Sequence, residues 1–278
     1  MEIEEKIQML RKRSEGIHMA HVYYGDPNED FSISLIETLA GNGADIIEFG
    51  IPFSDPIADG ATFQTACQRA LNGGVTPEKC IKGIERLRSR GLETPIVVTT
   101  YFNIPYIMGF EKFLDKAVAA GAQAILVPDL PVEEAKPFME MAEKRKVHLI
   151  LQVAPTTSTE RLKKILAETS SFIYLIGLEG VTGSKMKRLK ATLKLIGKVK
   201  EIADKPILVG FGVSKREHAE TLVSTGADGV VVGSAYTRIY EKNLKNPFQK
   251  LPEIADLANE IKNGCVNGYK KRTGILSG

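Results

Sequence analysis

Residues 40–50 read Ala-Gly-Asn-Gly-Ala-Asp-Ile-Ile-Glu-Phe-Gly, and two later stretches share their form: VAAGAQAILVPD at 118–129 and VSTGADGVVVGS at 223–234. Each runs from the end of a helical pattern through Gly-Ala and one polar residue into a short apolar run. Gly43, Gly121 and Gly226 hold the same place in each, where a left-handed residue turns the chain out of a helix. An apolar run that short, after such a joint, reads as a parallel strand buried on both faces. Outward from these joints, strands are expected at 18–24, 46–50, 95–101, 124–127, 147–153, 172–176, 206–209 and 229–232. Helical patterns alternate with them at 31–42, 77–90, 110–120, 132–145, 158–169, 193–203, 214–224 and 248–276. Thr76-Pro77 caps the second of these helices, and Ser214 is the expected cap of the seventh. Eight right-handed βα repeats in a chain of 278 residues predict a closed (β/α)₈ TIM barrel, one domain over 1–278. An open doubly wound sheet would want a glycine-rich turn after the first strand, and Gly25-Asp26-Pro27 is not that turn. Residues 2–13, with Ile3, Ile7 and Leu10 on one side, form an extra N-terminal helix able to plug the bottom of the barrel. A shorter extra helix is expected at 61–72, and a short piece at 103–109 precedes the helix at 110–120.

The composition, 43% hydrophobic and 26% charged, supplies a sizeable core. A net charge of +3 gives no argument for nucleic acid. The charged first residues make no signal peptide, and no apolar run reaches the ~18 residues of a membrane span. A soluble cytoplasmic protein is expected. Cys67, Cys80 and Cys265 show no metal or redox spacing and read as reduced thiols.

The chemistry concentrates in 45–60, DIIEFGIPFSDPIADG. Glu48 lies near the C-terminal end of the second strand, and a loop pinned by Pro52 and Pro56 follows, carrying Asp55 and Asp59. In a (β/α)₈ barrel the strand C-termini and the loops after them hold catalytic residues. Among aromatic neighbours Glu48 would be partly desolvated, which raises a carboxyl pKa toward neutrality and suits proton transfer in both directions. Asp59 would be its ionised partner, accepting a hydrogen bond from a substrate N–H. Gly210-Phe211-Gly212 and Gly233-Ser234-Ala235 follow the seventh and eighth strands. Small residues there let backbone N–H groups approach a phosphate. No lysine falls at a strand C-terminus for a Schiff base, and no nucleophile elbow is present. His18 and His21 face opposite sides of their strand, so the histidines make no metal cluster. His21 could line the pocket.

The blocks EFGIPFSDPIADG (48–60), NGGVTP (72–77), PDLPVEEA (128–135), GVTG (180–183), GFGVS (210–214) and GSA (233–235) together resemble the tryptophan synthase α-subunit family over nearly the whole chain. The resemblance implies a lyase that cleaves indole-3-glycerol phosphate to indole and glyceraldehyde 3-phosphate in L-tryptophan biosynthesis. It implies Glu48 as general acid/base and Asp59 as the group that steadies charge at the indole nitrogen. Tyr174, Tyr101 and His21 would contact the substrate; Gly183, Gly212, Gly233 and Ser234 would hold its phosphate; Thr182 would be the lid threonine. The chain itself would carry no cofactor. Pyridoxal phosphate would sit on a β-subunit partner in an α2β2 heterotetramer, met through Pro52–Asp55 and Asp129-Leu130-Pro131. Two departures stand out: Gly177-Leu178-Glu179 where many members have Ser-Arg, and His21 where a phenylalanine is common. The alternatives are a stand-alone lyase releasing free indole, a non-catalytic allosteric barrel, and another phosphate-binding barrel such as an isomerase.

Overall fold

The computed structural model describes residues 1–177 and 185–275, with the side chains of 185–188 left aside. Nine parallel strand segments form one sheet: β1 (Ile17–Tyr23), β2 (Ile46–Gly50), β3 (Ile96–Thr99), β4 (Ala124–Leu126), β5 (His148–Ile150), β6 (Gln152–Val153), β7 (Ile173–Ile176), β8 (Ile207–Gly210) and β9 (Gly229–Val232). Their hydrogen-bonded order is β5-β4-β3-β2-β1-β9-β8-β7-β6. The two ends of that order, β5 and β6, are consecutive in the chain and separated only by Leu151. The single strand expected at 147–153 is therefore split. Its first half pairs with β4, with Ala124 opposite His148, and its second half pairs with β7, with Gln152 opposite Tyr174. The break closes the barrel. Its backbone donors are satisfied from the end of the helix that follows, Thr159–Glu168: Leu149 N–H donates to Ser170 Oγ at 3.0 Å and Leu151 N–H to Thr169 Oγ1 at 3.0 Å.

Twelve α-helices occur among the described residues, more than the eight main ones expected. Those used below are α1 (Ile3–Lys12), α3 (Ala61–Asn72), α5 (Asn103–Met108), α9 (Lys185–Ile202), α11 (Ser234–Tyr240) and α12 (Leu251–Arg272). α9 begins well before the expected residue 193, because the lysines at 185, 187 and 190 read as loop-like charge in the sequence while remaining good helix formers. The helix expected from Ser214 starts at Arg216. Its N-cap is Lys215, without a side-chain cap, and Ser214 instead donates its backbone N–H to His218 Nδ1 at 3.4 Å. The terminal helix is preceded by two 3₁₀ turns, Glu241–Asn243 and Pro247–Lys250, rather than starting at 248. Thr76 caps its helix as expected, Oγ1 accepting from Lys79 N–H at 3.3 Å.

The three Gly-Ala joints behave alike. Gly43, Gly121 and Gly226 have φ of +99°, +103° and +131°. At Gly121 a Cβ would also sit 2.8 Å from Arg88 Nε. The polar residue after two of these joints ties down a neighbouring strand: Asp45 accepts from His18 N–H at 2.9 Å and Asp228 from Ile207 N–H at 3.0 Å.

Alternation divides the apolar side chains into two cores. Outward-facing residues such as Ile47, Phe49, Val98 and Ile125 pack under the surrounding helices. Inward-facing Ile17, Met19, Ile46, Val97, Leu126, Ile150, Phe172 and Leu208 fill the lumen, and Ile3, Ile7 and Leu10 of α1 join that inner cluster. The N-terminal helix thus seals the N-terminal end of the barrel. Ile7→Ala should cost about 2–4 kcal/mol, the usual penalty for emptying a core aliphatic site. Urea unfolding tests this, and a loss below about 1 kcal/mol would mean that α1 rests on the barrel without completing its core.

Candidate active site

At the opposite end, the C-termini of the strands open into a cavity of about 480 Å³. Strand residues that continue the inward-facing rows line it: His21 and Tyr23 from β1, Glu48 from β2, Thr99 from β3, Gln152 from β6, Tyr174 and Ile176 from β7, Gly210 from β8 and Val231 from β9. The loop after β2 supplies Ile57 to Gly60, and α3 supplies Phe63. Gly212, Val213, Gly233, Ser234 and Arg238 complete the wall on the β8–β9 side.

Glu48 is 1% exposed. Its register opposite His21 on β1 and Val97 on β3 puts it in the lumen, one layer above Ile46. Thr99 Oγ1 donates to Oε1 at 2.7 Å, and the Tyr174 hydroxyl donates to Oε2 at 3.2 Å. Burial pushes its pKa from 4.5 up to about 7, and these two hydrogen bonds hold it from rising further. His21 Nδ1 lies 3.5 Å from Oε1. That contact is not an ion pair, since burial lowers the His21 pKa to about 4. When Glu48 ionises, His21 has long been neutral.

Asp59 stands on the loop after β2. The hydroxyls of Tyr23 and Tyr101 both donate to its Oδ2, at 2.6 and 2.5 Å. Burial pushes its pKa above the ordinary value; a charge on His21 and the two tyrosine hydrogen bonds oppose that rise, and Glu48 adds to it. Because His21 is uncharged above about pH 4, the hydroxyls are the opposing influence that persists at neutral pH. Tyr101, expected to touch substrate, reaches the site through Asp59. It is not part of the cavity wall: its ring stacks on Phe53 at 5.3 Å and its hydroxyl also accepts from Ala58 N–H at 3.0 Å, so it stands behind Asp59. The sequence points to Tyr23 only as one of the aromatic neighbours of Glu48, since nothing in an inward-facing strand tyrosine reveals which loop its hydroxyl will reach.

On the other wall, Gly210 pairs with Val231, so the loops after β8 and β9 start side by side. Gly212 has φ +55°. Gly233 precedes α11, and a Cβ there would fall 2.4 Å from Phe63 and 2.9 Å from His21 Cβ, so only glycine fits. Of the expected site residues, His21, Glu48, Asp59, Tyr174, Gly212, Gly233 and Ser234 are gathered around this one cavity. Thr182 and Gly183 lie outside the described residues. Among the described residues no group of three or more His, Cys, Asp or Glu side chains could hold a metal ion.

Fold and cavity define a (β/α)₈ barrel with a buried carboxyl of raised pKa at the C-terminal ends of its strands. The family model of the tryptophan synthase alpha chain matches residues 7–266. The tryptophan synthase alpha chain of Methanocaldococcus jannaschii is 45% identical over 244 residues, 88% of this chain and 86% of that protein. That of Methanothermobacter thermautotrophicus is 43% identical over 255 residues, covering 92% and 94%. Among solved structures, tryptophan synthase from M. tuberculosis in its ligand-free form superposes with TM-score 0.85 at 29% identity, over 95% of this chain and 98% of that one. The alpha chain from Legionella pneumophila gives 0.85 at 28%, over 95% and 97%. The chain belongs to the tryptophan synthase alpha chain family and is a lyase of tryptophan biosynthesis.

The raised Glu48 pKa carries a consequence for stability. In the unfolded chain this carboxyl loses its proton near pH 4.5, whereas in the folded protein it holds the proton to about 7. Between those values the native state binds more protons, so stability falls as pH rises through the window and levels off above it. Glu48→Gln should remove that slope, leaving the variant about 3 kcal/mol better off relative to wild type at pH 8.5 than at pH 4. Urea titrations of both proteins across this range measure the difference; parallel curves would show a Glu48 that titrates normally.

Proposed function

We propose that the chain cleaves indole-3-glycerol phosphate to indole and glyceraldehyde 3-phosphate, with Glu48 moving the proton and Asp59 holding the indole nitrogen. The carrying observation is the buried Glu48 carboxyl, whose pKa near 7 keeps both protonation states populated at neutral pH. The protonated carboxyl delivers its proton to indole C3, and the ring takes up positive charge that spreads to the nitrogen. Asp59, ionised, accepts the indole N–H and offsets that charge. The Glu48 carboxylate then removes the proton from the hydroxyl on the carbon attached to C3. The C–O oxygen becomes the aldehyde, the C–C bond breaks, its electron pair restores the neutral indole, and Glu48 is again protonated.

Gly212, Gly233 and Ser234 bind the phosphate through backbone N–H groups and the Ser234 hydroxyl, with Gly183 as a further ligand. Thr182 acts as the lid threonine. Tyr174 orients Glu48 through the hydrogen bond described above and faces the indole, as does neutral His21. The reaction needs no cofactor beyond these side chains. Pyridoxal phosphate belongs to the β-subunit partner in an α2β2 assembly, and the setting is the cytoplasm. No helix among the described residues is long and apolar enough to cross a membrane.

The partner surface is the rim formed by the loop after β2, α5 and the segment at 129–131. Phe53 stacks on Tyr101, and Phe102 N–H donates to Asp129 Oδ1 at 2.9 Å, so the three segments are stitched together. On or beside them Ile57, Tyr106 and Ile107 are 78%, 62% and 74% exposed, more apolar surface than a solvated rim requires.

Glu48→Gln should lower the lyase rate at least ~10²-fold with the fold intact, and near-normal turnover would remove this mechanism. In wild type, kcat should fall on the alkaline side of about pH 7 as Glu48 loses its proton. Gly212→Asp should raise KM for the substrate at least ~10-fold through like-charge repulsion, while unchanged KM would place the phosphate elsewhere. Adding a purified tryptophan synthase β subunit should increase indole release, and Ile107→Asp should abolish that increase. No increase with either protein would favour a lyase that works alone.

A further inference from the structure

We propose that Tyr23 is a positioning residue for Asp59, its hydroxyl closing a two-tyrosine clamp on Oδ2 that presents Oδ1 to the substrate. The inference rests on the role proposed above for Asp59. Asp59 belongs to a loop, and a loop carboxylate has many rotamers to lose before it can meet a ring nitrogen in one geometry. Two strand ends remove that freedom. β1 and β3 flank β2 on either side, and each sends one hydroxyl to the loop that follows β2: Tyr23 from the end of β1 and Tyr101 from just past β3. Both reach the same oxygen. Among the described residues no donor is bonded to Oδ1, while Asp59 itself lines the cavity.

The two tyrosines are not equivalent. Tyr101 stands behind the wall, whereas Tyr23 is part of it, 2% exposed. Its ring is held 4.9 Å from that of His21 and edge-on to Phe63 at 5.2 Å. A ring so packed directs its hydroxyl to Asp59, with the Cys67 thiol as a further neighbour. Burial and the nearby carboxylate keep its phenol pKa well above 10, so it remains a donor at every working pH.

The groups facing Asp59 are Tyr23 and His21 from β1, Glu48 from β2, Tyr101 after β3 and Cys67 of α3. His21 is neutral above about pH 4, and burial raises the Cys67 thiol to about 12. Of these, the tyrosine hydroxyls are what hold the ionised carboxylate against burial. Loss of one must move the Asp59 titration upward, and with it the acid limb of the rate profile.

The test is Tyr23→Phe in the full chain, which keeps the ring between His21 and Phe63. Indole release from indole-3-glycerol phosphate is followed from pH 5 to 9, beside a ¹³C-carboxyl NMR titration in which Asp59→Asn assigns the Asp59 resonance. The expected result is a kcat about 10-fold lower at pH 6, with KM within about twofold and the acid limb and Asp59 resonance both shifted to higher pH. A kcat within about twofold of wild type and an unmoved limb would overturn it. So would a loss equal at all pH values, with a lower Tm and an unshifted Asp59 resonance, the mark of a merely structural tyrosine. An Asp59→Asn variant that keeps its kcat would sink both this inference and the role of Asp59. An inactive Asp59→Asn beside an unaffected Tyr23→Phe would sink this inference alone.

Discussion

A carboxyl group inside a ring of apolar strands loses its hydration, and the rest of the molecule is arranged around supplying that loss in a controlled amount. Glu48 has Ile46 one layer beneath it, and the lumen below is filled by Val97, Leu126, Ile150, Phe172 and Leu208. α1 closes the far end with Ile3, Ile7 and Leu10. Water therefore has no route to the carboxyl from below, and the ionised form is penalised. Left alone, that penalty would raise the pKa further. Thr99 and Tyr174, one hydrogen bond to each oxygen, return enough stabilisation to set the pKa at about 7. The Glu48 carboxyl is thus tuned by two opposing influences, one from the depth of the barrel and one from its neighbours at the same layer.

The second carboxyl is treated differently. Asp59 rides on a loop, receives two phenolic hydroxyls on a single oxygen and is less completely buried than Glu48. Two acids separated by one strand end and a short loop are thereby given unlike environments, which is how a site assigns unlike roles to chemically similar groups. Neutral His21 lies between them without charging either. Placing a permanently cationic side chain at that position would pull both pKa values down and erase the distinction.

The repeated Gly-Ala joint made the barrel legible from the chain alone, because a positive-φ glycine between a helix and an apolar run has few other meanings. Glu48 was legible for the same reason, standing at the end of one of those runs. What stayed hidden depended on contacts between distant segments. Residues 147–153 are uniformly apolar apart from His148 and Gln152, so nothing local marks Leu151 as the place where pairing passes from β4 to β7; the switch is imposed by Thr169 and Ser170. The early start of α9 was masked by its lysines, which resemble a solvated connection until their helical spacing is set against a neighbour. Tyr23 and Tyr101 both read as tyrosines near a pocket. Only the path of the loop after β2 decides that both turn to Asp59 and that Tyr23, unlike Tyr101, is part of the cavity wall.

That loop also joins the inside of the site to its outer rim. Within ten residues it carries Phe53, packed on the Tyr101 ring, then the exposed Asp55 and Ile57, then Asp59. The Tyr101 hydroxyl touches it twice, accepting from Ala58 N–H and donating to the Asp59 carboxylate. A protein seated on the rim would press on the segment that carries Asp59, with Tyr101 between them. Coupling by this route needs no long chain of contacts. It needs only that the loop have two resting positions, with Tyr101 bonded to Asp59 in one of them and displaced in the other. The arrangement at β1 bears on this directly. Tyr23 grips the same oxygen from a strand that the rim does not include, so it anchors the carboxylate on the side away from the partner. On the role proposed for Asp59, the more firmly Tyr23 holds, the less a movement of Tyr101 could shift that carboxylate, and the balance between the two hydroxyls would set how far a protein on the rim could act on it.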